Sequence, residues 1–320
     1  MADEIIETRN LRREFDGVVA VDDVSLTVRK GEVFGLVGPD GSGKTTTLRM
    51  VSGVMKPTSG SLIIAGHDAV ADPESIKLTV GYMPQTFGLY GDLTVMENLE
   101  FYADLYQVPP AVRPDRIQRL LAFARLQPFV NRQAQFLSGG MRQKLALAAT
   151  LMSDPTILLL DEPTTGVDPV SRRDFWRILY DLNTQGVTLV VSTPYMDEAE
   201  RCTRVALMFG GKIVAIDTPD GLRKLMVGEL LVLETPDPRR SRVVLASMSG
   251  ILSVEIFGDR VHIVVENAQE MTKPVCDRLT AEGMNVTRIE PSAPGLEDVF
   301  VSLLTSNSSR FLDVGVQESR

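Results

Sequence analysis

Three short clusters of residues could carry chemistry in this 320-residue chain. The first is Gly38-Pro39-Asp40-Gly41-Ser42-Gly43-Lys44-Thr45. Its glycines let successive backbone N–H groups turn inward around an anion, and a helix starting at Lys44 would add its dipole to that field. The G-x-x-x-x-G-K-T spacing is that of a phosphate-binding loop, in which Lys44 reaches the β- and γ-phosphates and the Thr45 hydroxyl ligates Mg²⁺. The second cluster is Asp161-Glu162, which follows the apolar run Ile157-Leu158-Leu159-Leu160. Asp161 suits the coordination shell of Mg²⁺, and Glu162 can accept a proton from attacking water. Adjacent carboxylates after an apolar run also occur where a strand merely meets solvent; the loop upstream favours the chemical assignment. The third cluster is Ser138-Gly139-Gly140, a hydroxyl and two glycines that by themselves make a competent helix start.

Such clusters need a rigid scaffold, and the apolar pattern supplies one. Val33-Phe34-Gly35-Leu36-Val37, Ile157–Leu160 and Val187-Thr188-Leu189-Val190-Val191 are short apolar runs that read as fully buried strands. Between the last two, Asp168-Pro169 offers a cap and first-turn proline. Phe175, Trp176, Ile178, Leu179 and Leu182 then recur at helical spacing until Gly186. Strands alternating with helices predict an α/β core around a mainly parallel sheet, whose ligands sit at the carboxyl ends of its strands. Residues 88–136 read as a helical insert opened by the capping box Thr94-x-x-Glu97.

After Thr218-Pro219-Asp220-Gly221 the pattern changes. A strand at Leu230–Leu233 and a helix at 239–248 precede a hairpin, in which Val254–Phe257 and Val261–Val265 are joined by Gly258-Asp259. A helix at 271–282 and a strand near 285–290 complete a β-α-β-β-α-β order, which predicts a small α+β domain of ferredoxin-like type. The expected divisions are therefore 1–218, 219–305 and a Ser-rich, disordered tail at 306–320.

Composition bounds the partners. The length allows about two domains. Forty-two acidic against thirty-three basic side chains give a net charge of −9, spread along the chain with no basic half, so nucleic acid is not the expected main partner. The two cysteines, Cys202 and Cys276, fit no metal or redox spacing and read as reduced thiols. The acidic start Met1-Ala2-Asp3-Glu4 does not resemble a signal peptide, and no run approaches the ~18 apolar residues of a membrane span. Any membrane role is expected to come through a partner.

Taken in order, the phosphate loop, Gln85 in Tyr82-Met83-Pro84-Gln85, Leu137-Ser138-Gly139-Gly140-Met141, and Leu158–Pro163 followed by Gly166-Val167-Asp168 resemble the ATP-binding subunit of an ABC transporter. The resemblance covers about residues 5–218 and is highly specific. Leu93-Thr94-Val95-Met96-Glu97-Asn98-Leu99, Tyr195-Met196-Asp197-Glu198-Ala199-Glu200 and Leu296-Glu297-Asp298-Val299-Phe300 are similar to the ABC-2 branch, which includes daunorubicin-type exporters, and extend the likeness to about residue 305.

The resemblance implies a P-loop NTPase core with a helical subdomain. It also implies ATP and Mg²⁺ as ligands, and a head-to-tail pair of cassettes on the cytoplasmic face of the membrane, bound to an integral ABC-2 permease. Each ATP would lie between Gly38, Gly41, Ser42, Gly43, Lys44, Thr45 and Thr46 of one subunit and Ser138, Gly139 and Gly140 of the other. Phe15 would stack on adenine, Gln85 and Asp161 would share the metal with Thr45, Glu162 would be the base, and Asp168 would cross the interface.

One position departs from the family. Where relatives place a γ-phosphate-contacting histidine after the strand ending at Thr193, this chain has Pro194, which offers neither an imidazole nor an N–H. A slow, degenerate site is the preferred explanation, with His67 and His262 too remote in sequence to substitute. Two other readings remain at this level: a soluble ABC ATPase of translation or DNA repair, and a regulatory ATP-binding partner without turnover. The interval between Lys44 and Ser138 is too short for the long coiled coil of many soluble relatives, whereas Pro194 keeps the regulatory reading open.

Overall fold

The computed structural model describes residues 4–306, and their contacts divide into two compact units that meet at Ile216/Asp217. The first unit opens with two long strands, β1 (Glu4–Phe15) and β2 (Val18–Arg29), paired antiparallel across Asp16-Gly17. They are followed by β3 (Val33–Val37), α1 (Lys44–Val51), β4 (Ser59–Ile64), β5 (His67–Asp68) and β6 (Val80–Met83). The helices α2 (Val95–Leu105), α3 (Arg113–Ala124) and α4 (Gly139–Thr150) come next, then β7 (Ile157–Asp161), α5 (Pro169–Thr184), β8 (Thr188–Thr193), α6 (Met196–Ala199), β9 (Arg204–Phe209) and β10 (Lys212–Asp217).

Two sheets result. One is antiparallel with the order β2-β1-β4-β5. The other has the order β10-β9-β3-β8-β7-β6, in which β9, β3, β8, β7 and β6 run parallel. Alternation of buried and exposed residues along β1 and β2 marks a sheet with one wet face, whereas β3, β7 and β8 are buried at every position. One apolar cluster joins them: Ile6, Leu11, Val21 and Leu62 of the antiparallel sheet, Leu48 and Met50 of α1, and Phe34, Leu36, Leu159 and Val190 of the parallel sheet. Each fully buried Leu or Ile in that cluster contributes about 2 kcal/mol through removal from water. α1 is thereby clamped at the carboxyl end of β3.

The local signals behave as their chemistry requires. The Thr94 hydroxyl accepts from the Glu97 N–H at 3.2 Å while Glu97 accepts from the Thr94 N–H at 2.8 Å, so α2 starts with a complete capping box. Asp168 caps α5, accepting from the Val170 and Ser171 N–H groups, with Pro169 in the first turn.

The second unit contains α7 (Pro219–Arg223), β11 (Glu229–Glu234), α8 (Pro238–Leu245), β12 (Ile251–Phe257), β13 (Arg260–Val265), α9 (Ala268–Ala281), β14 (Arg288–Ser292) and α10 (Leu296–Ser306). Its sheet order β12-β13-β11-β14, with antiparallel pairing throughout, is the ferredoxin-like arrangement of a β-α-β-β-α-β chain. Leu231, Leu233, Val261, Ile263 and Val265 pack against Leu245 of α8 and Val275 and Leu279 of α9.

Several boundaries differ from expectation: α8 ends at Leu245 rather than 248, α9 starts at Ala268 rather than 271, and β12 starts at Ile251 rather than Val254. The units separate two residues before the predicted 218/219 division, because Thr218 is tied forward into α7: its hydroxyl accepts from the Gly221 N–H. The last strand lies at 288–292 rather than near 285–290, set by its register with β11. Ser306, expected to begin the tail, closes α10, and residues 307–320 lie outside the described residues. Among the described residues no helix is long and apolar enough to cross a membrane.

Candidate functional site

Parallel register brings the chemistry-bearing ends of four strands to one edge. Val37 lies opposite Thr193, Asp161 opposite Ser192, and Met83 opposite Leu160. The loop after β3, the carboxylates after β7, the hydroxyls ending β8 and the segment after β6 therefore meet at the carboxyl end of the sheet. A cleft of about 370 Å³ opens there, lined among others by Gly41, Gly43, Lys44, Thr45, Thr46, Gln85 and Glu162.

The loop is shaped by close approaches that exclude side chains. A Cβ at Gly38 would lie 2.1 Å from the Met208 carbonyl oxygen, and Gly43, at φ 101°, would place one 2.5 Å from the Ala20 carbonyl oxygen. Gly43 is the residue from which α1 starts, so the helix amino end faces the cleft without a side-chain cap. The Ser42 hydroxyl is buried and has no hydrogen-bond partner. An orphaned polar atom beside an uncapped helix amino end fits an anionic ligand that is itself rich in acceptors.

Lys44 is the centre of charge. Its side chain is 3% exposed, and Nζ donates to the carbonyls of Gly38 at 2.8 Å and Pro39 at 2.9 Å while lying 3.3 Å from Glu162 Oε1. Glu162 is 8% exposed, and its Oε2 accepts from Gln85 Nε2 at 3.1 Å and from the Thr165 hydroxyl at 3.3 Å. Glu162 sits at φ 48°, in the left-handed region, a sparsely populated conformation that costs about 1 kcal/mol or more and persists only when its surroundings hold it.

Asp161 is enclosed by hydroxyls. Its Oδ1 accepts from Thr45 Oγ1 at 3.0 Å and Ser192 Oγ at 2.7 Å, and its Oδ2 accepts from the Tyr82 hydroxyl at 3.2 Å. Burial, reinforced by the Asp161 charge, pushes the Tyr82 phenol up to about 12, so it remains a neutral donor across the physiological range. The Thr45 hydroxyl, the Asp161 carboxylate and the Gln85 amide oxygen are hard oxygen donors of the kind Mg²⁺ takes, few enough to leave positions for water and phosphate. The donor set fits the metal that the loop motif implies.

The remaining predicted residues lie elsewhere. Ser138 caps α4, its hydroxyl accepting from the Met141 N–H at 3.3 Å, and Gly140 is buried beside Ser171. Phe15 ends β1, 37% exposed, with the Arg13 guanidinium 4.4 Å from its ring centroid. Neither Phe15 nor Ser138, Gly139 and Gly140 lines the cleft. Asp168 is spent on its cap, and hydrogen bonds from Ser171 hold its carboxyl below the usual range. Pro194 is half-buried, and the next N–H, that of Tyr195, is consumed by Thr193 Oγ1 at 3.1 Å. His67 is exposed on β5, and His262 pairs with Asp298 inside the second unit.

Ser192, Thr193, Tyr82 and Glu198 are structural members of the site that sequence reasoning passed over. Glu198, 1% exposed, accepts from Thr164 Oγ1 at 2.5 Å and Thr193 Oγ1 at 2.8 Å and pairs with Arg172 at 3.0 Å. It ties the loop after Glu162 to the end of β8. The available signal was Ser192-Thr193 closing an otherwise apolar strand.

Residues 21–165 match the ABC transporter family. The chain is 34% identical over 301 residues to the Nod factor export ATP-binding protein I of Ralstonia nicotianae, an alignment covering 93% of each. The chain belongs to the ABC transporter ATP-binding family. The cassette is also 41% identical over 308 residues to the probable multidrug ABC transporter ATP-binding protein YbhF of Escherichia coli (strain K12), covering 95% of this chain but only 53% of YbhF, about half of that protein's length. Among solved structures, it resembles a dimeric ATP-binding cassette in a post-hydrolysis state with ADP and Pi, at 29% identity and a TM-score of 0.61, over 67% of this chain and 98% of the other. The fold of its core is that of P-loop cassettes.

Lys44 and Glu162 form a buried ion pair. Lys44→Ala leaves an unpaired carboxylate at 8% exposure and is expected to lower stability by about 3 kcal/mol in urea unfolding. Adding Glu162→Gln removes the orphaned charge and should return much of that loss. Strictly additive single and double variants would show that the two charges are not coupled.

Proposed function

We propose that this chain is an ATP-binding and ATP-hydrolysing motor cassette of an ABC-2-type exporter. In this reading it pairs with a second cassette and docks on the cytoplasmic side of an integral membrane permease. The observation that carries the reading is the Lys44 ammonium flanked by loop carbonyls, Glu162 and, through Thr45, Asp161. ATP is the substrate whose β- and γ-phosphates Lys44 and the loop amides would neutralise. Mg²⁺, when bound, supplies further neutralisation and orientation of those phosphates, held by Thr45, Asp161 and Gln85. Phosphate oxygens at Lys44 would take the place that Glu162 Oε1 occupies, leaving the Glu162 carboxylate free to accept the proton of attacking water. Positioning and electrostatics account for most of phosphoryl-transfer catalysis, and the site consists of little else.

Ser138, Gly139 and Gly140 lie off the cleft, which supports a composite site completed by the other cassette. Phe15 offers an exposed ring face for adenine. The names of the relatives, multidrug transport and Nod factor export, favour export as the direction of transport. The second unit has a ferredoxin-like sheet and no phosphate loop, and we assign it to subunit association or docking.

The composite site is tested with Glu162→Gln, which keeps shape while removing the base. This variant should retain ATP and elute at about twice the monomer mass in MgATP. Adding Ser138→Arg should abolish the dimer while leaving nucleotide binding intact. A variant that binds ATP yet stays monomeric, or a dimer indifferent to Ser138→Arg, would contradict the model.

Pro194 generates a separate expectation. Neither position 194 nor the Tyr195 N–H can donate into the cleft. Pro194→His, assayed for steady-state ATPase in the assembled complex, should raise turnover at this site by about tenfold or more, since one transition-state donor is typically worth about 10²–10³ and the loop backbone differs. The gain should appear in kcat more than in KM. No gain in a variant that folds and binds MgATP would mean another group already fills the role.

A further inference from the structure

We propose that Ser192 is a positioning residue of the hydrolytic site, its hydroxyl fixing the Asp161 carboxylate and the Glu162 backbone relative to one another. The inference rests on the ATPase reading above and extends it to a residue outside the motifs that carry that reading.

The need arises from strand geometry. Successive residues of a strand point to opposite faces. A continued β7 would send the side chains of Asp161 and Glu162 apart, yet Asp161 meets Thr45 and Glu162 meets Lys44, neighbours at the start of α1. The chain resolves the conflict by turning into the left-handed region at Glu162, at φ 48°, where an L side chain is strained. Something must hold that turn, and Ser192 does so twice. The Glu162 N–H reaches both the Ser192 carbonyl oxygen at 3.1 Å and the Ser192 hydroxyl at 3.0 Å. The same hydroxyl donates to Asp161 Oδ1 at 2.7 Å, the oxygen that also accepts from Thr45.

Few side chains can do this. The atom must accept from an amide and donate to a carboxylate at once, which a hydroxyl can and an aliphatic or acidic group cannot. It must also be short enough to remain within a strand register in which Ser192 faces Asp161 on one side and Leu36 on the other. Ser192 is 0% exposed, so its hydroxyl is directed by the protein and not by solvent. Thr193, its neighbour, is committed to Glu198 and the Tyr195 N–H and cannot take over.

The role is separable from simple strand packing. In Ser192→Ala the Glu162 N–H keeps the Ser192 backbone carbonyl and Asp161 Oδ1 keeps Thr45, so no buried donor is orphaned and the strand persists. What is lost is the link between the acid that would hold the metal and the base beside it. Removal of such an outer partner typically costs about 10–100-fold in metal affinity or activity.

The test compares the full chain with Ser192→Ala, Ser192→Thr and Ser192→Cys. Trinitrophenyl-ATP is titrated without divalent ions and across a Mg²⁺ series, and steady-state ATPase is measured in parallel. For Ser192→Ala we expect metal-free nucleotide affinity within about twofold of the parent. The Mg²⁺ concentration that half-restores tight binding should rise about tenfold, and kcat should fall about tenfold at little-changed KM. Ser192→Thr, which keeps the hydroxyl, should recover both within about threefold. Ser192→Cys, whose thiol is a weak donor, should follow alanine and provides the comparison if the alanine chain folds poorly. Parental Mg²⁺ dependence in the alanine and cysteine chains, or equal impairment by threonine and alanine, overturns the proposal. A parent that binds no nucleotide overturns the ATPase reading and this proposal with it, whereas a parent that binds and an alanine chain that matches it overturns this proposal alone.

Discussion

The arrangement of the first unit depends on one buried ammonium. Lys44 Nζ is almost fully removed from water, and a buried charge is costly unless acceptors surround it. Two carbonyls of its own loop and the Glu162 carboxylate meet that need. The loop must curl back on the lysine for those carbonyls to reach, which is why Gly38 and Gly43 stand where any side chain would collide with backbone. Glu162 must reach the same point from a different strand, which requires a left-handed residue at the end of β7. Strain at Glu162, close packing at the loop and the charge of Lys44 are therefore parts of one constraint.

That constraint also explains the division of labour along the sheet. β3, β7 and β8 are buried at all positions and supply rigidity, while Asp161 at the end of β7 and Ser192 and Thr193 at the end of β8 carry the polar groups of the site. Hydrogen bonds run across those ends: Thr45 and Ser192 donate to Asp161, and Thr193 and Arg172 of α5 donate to Glu198. The helix that begins at the Asp168 cap is thus connected through Glu198 to the end of β8 and to the segment after Glu162. Pro194 falls in the gap of this network: the strand before it and the helix after it are held in place, but position 194 itself presents no donor.

Much of this was legible in the amino-acid sequence because it is written in local chemistry. The loop spacing, the apolar runs of β3, β7 and β8, the capping box of α2 and the Asp168-Pro169 start of α5 each involve neighbouring residues whose preferences are intrinsic. The alternating strands and helices of the second unit were legible for the same reason, and its ferredoxin-like order followed from them. The antiparallel β1 and β2 were passed over because, apart from Val18–Val21, polar residues on the wet face break up their apolar pattern. Ser192 and Tyr82 were not legible as site members because their roles arise from parallel register between strands far apart in sequence, and Glu198 because it acts from α6 on Thr164, 34 residues away. Ser138, Gly139 and Gly140 read from their own chemistry as a helix start, and only the resemblance gave them a phosphate; the single chain gives them no place at the cleft.

The central claim is that Lys44 is held by internal acceptors in a form that phosphate oxygens can take over. Calorimetric titration of MgATP into the chain and into Lys44→Ala tests it directly, with folding of both checked by circular dichroism. The account predicts saturable binding to the parent and affinity weaker by at least about 100-fold in the variant, equivalent to about 2.7 kcal/mol. Equal affinity in two folded proteins would contradict it.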